Sequence, residues 1–189
     1  MFKFTSELVS SKTIFFKGGI MFQNGDYVVY GCKGIHKIID KTTLNMDGVS
    51  KNKEYYVMQP YDKPSGSVYA PVDAQKINMR KIMSKEEANA FIKTVPGIGI
   101  LDIKNNKQRE DAYKECIRSC DPDELMRVIK TLYVRKEERI SQGKKLTLTD
   151  SHYMQQAEGI LYDELALVLD MPKDNVPEYI SGIVHKSVV

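Results

Sequence analysis

Alternating apolar and polar positions dominate residues 21 to about 79, and an apolar period of three to four residues replaces them further on. The first texture predicts short strands at 27–30, 35–39, 54–59 and 67–72, where β-branched and aromatic residues gather. Gly25-Asp26, Gly31 to Gly34, Asn45-Met-Asp-Gly48 and Lys63-Pro-Ser-Gly66 supply breaks beside and between them. So many short strands in about sixty residues predict a small, compact antiparallel barrel.

The pattern changes near residue 80. Ser84-Lys-Glu-Glu87 forms a capping box, in which the serine oxygen and the glutamate satisfy backbone N–H groups of a first helical turn, so a helix is predicted over 84–93. Pro96-Gly-Ile-Gly99 breaks it. A second helix is predicted over 107–119. A third follows Asp121-Pro122, an N-cap with proline at the first helical position. On that third helix Leu125, Val128, Ile129, Leu132, Tyr133 and Ile140 recur on one face, the expected inward face, while Arg127, Lys130, Arg135 and Arg139 fall largely outside it. Gln142-Gly143 ends it, and Thr147 or Thr149 opens a fourth helix through about Leu169, with Tyr153, Met154, Ala157, Leu161, Leu165 and Val168 inward. A short helix over 176–183 completes the prediction. The expected class is α+β in two domains: an antiparallel β-barrel over 21–80, then a compact all-helical domain over 81–189.

Composition removes several alternatives. With 42% hydrophobic residues in 189, the chain has enough apolar material for a packed core. The formal charge of +3 is too small to mark a nucleic-acid binder, so the distribution of charge matters more than its sum. Cys32, Cys116 and Cys120 have no disulfide or zinc-ribbon spacing, which predicts reduced thiols in a cytoplasm. No apolar run reaches the roughly 20 residues that span a bilayer, and no membrane partner is expected. Lys12 and Lys17 interrupt the apolar stretch of residues 1–20, and no small-residue cleavage site follows, against a secretion signal. Those residues read as an upstream extension from an early start codon, or as an added edge strand.

Catalytic and metal chemistry find little support. His36, His152 and His185 lie in different elements and are expected to be partly exposed structural residues. Cys116 and Cys120 are one helical turn apart, but two thiols cannot close a four-ligand site, and a small apolar role is expected of each. Gly31-Cys-Lys-Gly34 lacks the Gly-Lys-Ser/Thr ending of a phosphate loop, and Pro96-Gly-Ile-Gly99 follows a helix instead of opening one. The acidic pairs Glu137-Glu138 and Asp163-Glu164 are expected on solvated faces. No cofactor and no enzymatic activity are predicted.

One charge cluster stands out: Arg127, Lys130, Arg135, Lys136, Arg139, Lys144 and Lys145, within one helix and the turn after it. It reads either as a solvated face with internal ion pairs or as an edge that approaches DNA phosphates. Ser67-Val-Tyr-Ala-Pro-Val72 likewise reads either as a barrel wall or as an edge offered to another protein's sheet, with Pro71 limiting the pairing.

The opening Phe22-x-x-Gly25-Asp26-x-Val28-Val29-Tyr30-x-x-x-Gly34, together with Glu54-Tyr55-Tyr56, Tyr69-x-Pro71-Val72, Lys130-Thr-Leu-Tyr133, Gly143-Lys-Lys-Leu-Thr147 and Glu158-x-Ile160-Leu161-x-x-Glu164-Leu165-Ala166, resembles the CarD/CdnL family of bacterial RNA-polymerase-binding transcription regulators. The resemblance runs from Met21 to about Ile180. It implies a Tudor-like barrel that docks on the lobe of the polymerase β subunit, similar to the interaction domain of the transcription-repair coupling factor, through Tyr55, Tyr56, Val68, Tyr69 and Pro71. It also implies a helical domain on promoter duplex DNA at the upstream edge of the melted region, largely independent of sequence, through Asn106, Lys107, Arg109, Arg135, Lys136, Arg139, Lys144 and Lys145. Such a protein is cytoplasmic and nucleoid-associated.

Two departures stand against the family pattern. Characterised relatives insert a tryptophan into the minor groove, and this chain contains none; the corresponding stretch is Asp102-Ile-Lys-Asn-Asn-Lys-Gln-Arg109. Several relatives also carry an arginine before the Val-Pro of the barrel strand, where this chain has Tyr69-Ala70-Pro71. The function that the resemblance implies is modulation of open-complex stability. A protein-interaction adaptor that holds polymerase or a repair factor without touching DNA is the alternative.

Overall fold

The computed structural model describes residues 21–43, 53–62, 66–73, 78–103 and 105–186. Five strands, β1 (Tyr27–Tyr30), β2 (Ile35–Thr43), β3 (Glu54–Pro60), β4 (Val68–Pro71) and β5 (Met79–Lys81), form one antiparallel sheet in the order β4-β3-β2-β1-β5. The expected closure into a barrel is not seen: β4 and β5 are the two edges, and no ladder joins them among the described residues. The expected turn at 45–48, and all of that at 63–66 except Gly66, lie outside the described residues.

β5 had no sequence signal, because Met-Arg-Lys carries no β-branched or aromatic residue. Its extended form comes from the open side of β1, where Val28 pairs with Lys81, Val29 with Arg80 and Tyr30 with Met79. β2 runs past residue 39 because a bulge between Ile38 and Asp40 lets the ladder to β3 continue. Gly25, at φ 94°, turns the chain into β1 and donates its N–H to the Ile38 carbonyl at 2.8 Å.

β1 is covered on both faces. Val28 and Tyr30 join Phe22, Ile38, Tyr56, Met58 and Ala70 in the core of the sheet, whereas Val29 packs into the core of the helices. The Phe22 N–H donates to the Tyr56 phenol oxygen at 3.0 Å, which ties the entering chain to β3. His36 is a correction to the expected partial exposure, since it is 2% exposed within β2. Its Nδ1 lies 3.1 Å from the Gly34 carbonyl and its ring meets the edge of Tyr30.

Five helices follow: α1 (Lys85–Thr94), α2 (Asn106–Ser119), α3 (Pro122–Ser141), α4 (Leu148–Leu169) and α5 (Val176–Lys186). Local capping chemistry starts three of them. Ser84 and Glu87 form both bonds of the capping box of α1, Asp121 accepts from the Asp123 N–H before α3, and Thr147 accepts from the Asp150 N–H before α4. Leu125, Val128 and Leu132 of α3 meet Ala157, Leu161 and Leu165 of α4 in one core, all without exposed surface. Each such leucine is worth about 1.5–3 kcal/mol relative to exposure. Glu164 lies in that core at 0% exposure, which corrects the solvated face expected for it.

Candidate polymerase and nucleic-acid interfaces

The residues expected to dock a protein partner lie on β3 and β4. β4 pairs with β3 on one side only, so its other edge offers unpaired backbone groups among the described residues. Tyr69 is 47% exposed on that edge strand, Val68, Pro71 and Tyr55 are half-buried, and Ala70 is buried. Tyr56 is placed differently. At 0% exposure its ring packs against Phe22 and beneath the Lys41 ammonium, so it shapes the strand and presents no side-chain surface to a partner.

The second candidate is the tip of the hairpin made by α3 and α4. Gly143, at φ 69°, allows the sharp exit from α3, and its N–H donates to the Ile140 carbonyl at 2.9 Å. Arg139 clamps the turn: its Nε donates to the Lys145 carbonyl at 2.7 Å, and its own carbonyl accepts from the Lys144 N–H at 2.8 Å. Lys144 and Lys145 stand exposed on that turn. Among the described residues the Lys144 ammonium reaches the Gln142 side-chain oxygen, at 3.3 Å.

The basic cluster divides on inspection. Lys130 donates to the carbonyls of Val95 and Ile98, closing the end of the 3₁₀ turn after α1, and Arg127 pairs with Glu124 at 3.3 Å. Arg135 turns inward, its Nε donating to the buried Asp150 carboxylate at 2.7 Å. Lys136 is half-buried, and its charge acts on Glu158 of α4, whereas Lys144 and Lys145 have no carboxylate within ion-pair distance among the described residues and form the outer charge of the tip. The reading of internal ion pairs thus holds for Arg127 and Arg135, while Lys144 and Lys145 stay outside it.

Tyr133 and Ile140 correct a further expectation. They share a face with Ile129, as the periodicity predicts, yet they are 55% and 54% exposed. α3 runs about two turns past the packed core, so the apolar stripe continues where no described element covers it. Leu148, at the first position of α4, is 91% exposed and is the most exposed large apolar side chain among the described residues. Periodicity alone reports the face of a helix and not the reach of its neighbours.

The beginnings of α2 and α4 lie together. Arg109 Nη1 is 3.7 Å from the Asp150 carboxylate, and the Tyr153 hydroxyl donates to Glu110 at 3.0 Å. A cleft of about 290 Å³ between them is lined by Arg109, Glu110, Tyr113, Thr147, Thr149 and Asp150. Burial, then the neighbouring Asp150 charge, pushes the Tyr113 phenol up to about 12, so it stays protonated. This joins the Asp102 to Arg109 stretch to the hairpin tip. Asp102 is exposed; Asn106 and Lys107 open α2, and their side chains fall outside the described residues.

Among the described residues no group of three or more His, Cys, Asp or Glu side chains is arranged to hold a metal. Burial, then a hydrogen bond to Glu124, pushes the Cys116 thiol up to about 12, and burial pushes Cys120 up to about 11, which keeps both as thiols. No described helix is long and apolar enough to cross a membrane.

Residues 22–83 match the family model of the CarD-like/TRCF RID domain, and residues 101–181 match that of the CarD C-terminal domain. No curated protein matches the chain. The first match covers the sheet and the second covers the start of α2, the hairpin tip and most of α5.

Proposed function

The chain belongs to the CarD/CdnL family, RNA-polymerase-interacting transcription regulators, and on that premise we propose that its sheet docks on the lobe of the polymerase β subunit while its helices rest on promoter duplex DNA beside the melted region. The sheet is taken as a Tudor-like module, in keeping with its family match and its five short antiparallel strands. Docking is assigned to the free edge of β4, by strand pairing and packing on Tyr69, with Tyr55, Val68 and Pro71 beside it.

The observation that carries the DNA contact is the state of the hairpin tip. Lys144 and Lys145 project outward there, while Arg135 and Arg139 are held by Asp150 and the Lys145 carbonyl. Flexible ammonium groups with no carboxylate beside them suit phosphates, whose neutralisation releases counterions without reading bases. Exposed Leu148 beside them supplies apolar surface of the kind that rests against a splayed groove. It has less stacking area than the missing indole, so the effect on open-complex lifetime is modest.

Lys144→Glu with Lys145→Glu tests this reading. The variant should keep its fold and its affinity for the polymerase lobe, yet lose affinity for unrelated duplexes alike, with a salt slope smaller by about 0.9 for each phosphate contact removed. If the wild type binds no duplex even at low salt but does bind the lobe, the protein is an adaptor. Loss confined to one promoter would instead indicate base readout.

A further inference from the structure

We propose that Arg80 and Glu164 set the angle between the sheet and the helices, so that the two halves engage polymerase and DNA as one lever. Arg80 leaves the edge strand β5 and its fork meets Glu164 of α4 in two parallel bonds, Nη1 to Oε1 and Nη2 to Oε2, each 2.6 Å. Glu164 Oε1 also accepts from the Met83 N–H at 2.8 Å, in the link between β5 and α1. Arg80 Nε donates to the carbonyl of Cys120, in the turn between α2 and α3. One guanidinium thereby ties the sheet to two separate parts of the helical bundle.

The surroundings hold that turn in place. Cys120 sits at φ 61°, which a residue with a Cβ adopts at a cost. Its Sγ reaches the Asn78 carbonyl at 3.2 Å, a carbonyl that also accepts from the Gly31 N–H at 2.9 Å, and Asn78 Nδ2 donates to the Arg118 carbonyl at 3.1 Å. Burial disfavours the Arg80 charge, but the Glu164 carboxylate more than offsets it and holds the guanidinium above its ordinary pKa. A buried ion pair is a poor device for stability alone, because desolvation consumes most of its attraction. Its bidentate fork is directional, and direction is what an apolar pair in the same space lacks.

The coupling half of this inference rests on the proposed function; the angle itself does not. The experiment uses the full chain with Arg80→Leu and Glu164→Leu together, which removes both charges and leaves none buried alone. Spin labels at Asp40→Cys and Ser141→Cys, with Cys32→Ser, report the distance from sheet to hairpin tip, and the affinities are measured on unlabelled protein with the native residues at those three positions. The expected result is one narrow distance in the parent and a broad distribution in the double variant. The affinities for polymerase lobe and for duplex, each measured alone, stay within about twofold, while the joint complex dissociates roughly fivefold faster as the effective concentration falls. Should the double variant not fold, Arg80→Lys, which keeps the charge and loses the fork, is read in the same way. Equal distance distributions overturn the proposal. So does a joint complex weakened only in proportion to the separate affinities. If the parent binds neither lobe nor duplex, the proposed function fails while the distance measurement still decides the angle.

Discussion

Arg80 and Lys145 carry the same charge in opposite circumstances. Arg80 is gripped at the sheet–helix junction by a carboxylate with no exposed surface, whereas Lys145 stands in solvent on a turn with no ion-pair partner among the described residues. Between them lie Arg109 and Arg135, part-buried and shared by one buried carboxylate, Asp150. Across these four residues charge is thus graded from fixed to free, with arginine toward the fixed end. That fits the side chains: a planar fork gains from defined partners, and a flexible, strongly hydrated ammonium does not.

The largest test of the fixed end removes one partner. Glu164→Ala leaves the Arg80 charge buried and uncompensated, and should cost about 3–5 kcal/mol of stability, read as a lower urea midpoint. A loss of less than about 1 kcal/mol would show that solvent reaches the junction and that the pair is no different from a surface bridge.

Asp150→Asn probes the middle of the gradient. It should destabilise by about 1–3 kcal/mol, because the bond from Arg135 loses its charge. At the same time duplex binding should tighten and its salt dependence steepen, since Arg135 is released to join the lysines. Unchanged duplex affinity in a folded variant would place Arg135 wholly with the structural residues.

The smallest effect concerns a buried titratable group with no carboxylate bonded to it. Burial lowers the His36 pKa from its ordinary 6.5, opposed by the hydrogen bond to the Gly34 carbonyl, with Lys33 lowering it further and Asp62 raising it. The unfolded chain then binds the proton more readily than the folded one, so this stability is complete above 6.5 and is lost as pH falls through the folded value. Thermal midpoints should decline from about pH 7.5 to pH 5, and His36→Phe should flatten that decline. An identical slope in the variant would assign the pH dependence to other groups. Asp26 is not one of them, because its pKa is lowered from 3.8 chiefly by the hydrogen bond from Lys81, and its contribution fades only in stronger acid.

What could be read in the sequence was local. The caps at Ser84, Asp121 and Thr147 are decided by atoms within three residues, and the structure forms each of them. What could not be read depended on distant neighbours. β5 is a strand because β1 lies beside it, and Glu164 is buried because Arg80, 84 residues away, meets it there. Tyr133 and Ile140 follow the period of the core and miss it because α3 outruns the packed bundle. The division of the basic cluster was hidden for the same reason, since Asp150 lies 15 residues beyond Arg135 and is aimed inward.

The double coverage of β1 has a consequence for how the chain finds its fold. A strand with one wet face can slip by a residue and trade core for solvent, but a slip here exchanges two interiors. Val29 would enter the space of Tyr30, leaving a void, while Tyr30 would be driven into a gap among the helices shaped for valine. The register of four residues is therefore checked from both sides, by the core of the sheet and by that of the helices. A slipped strand is rejected by whichever interior meets it, which makes β1 the place where the two halves are held to one alignment.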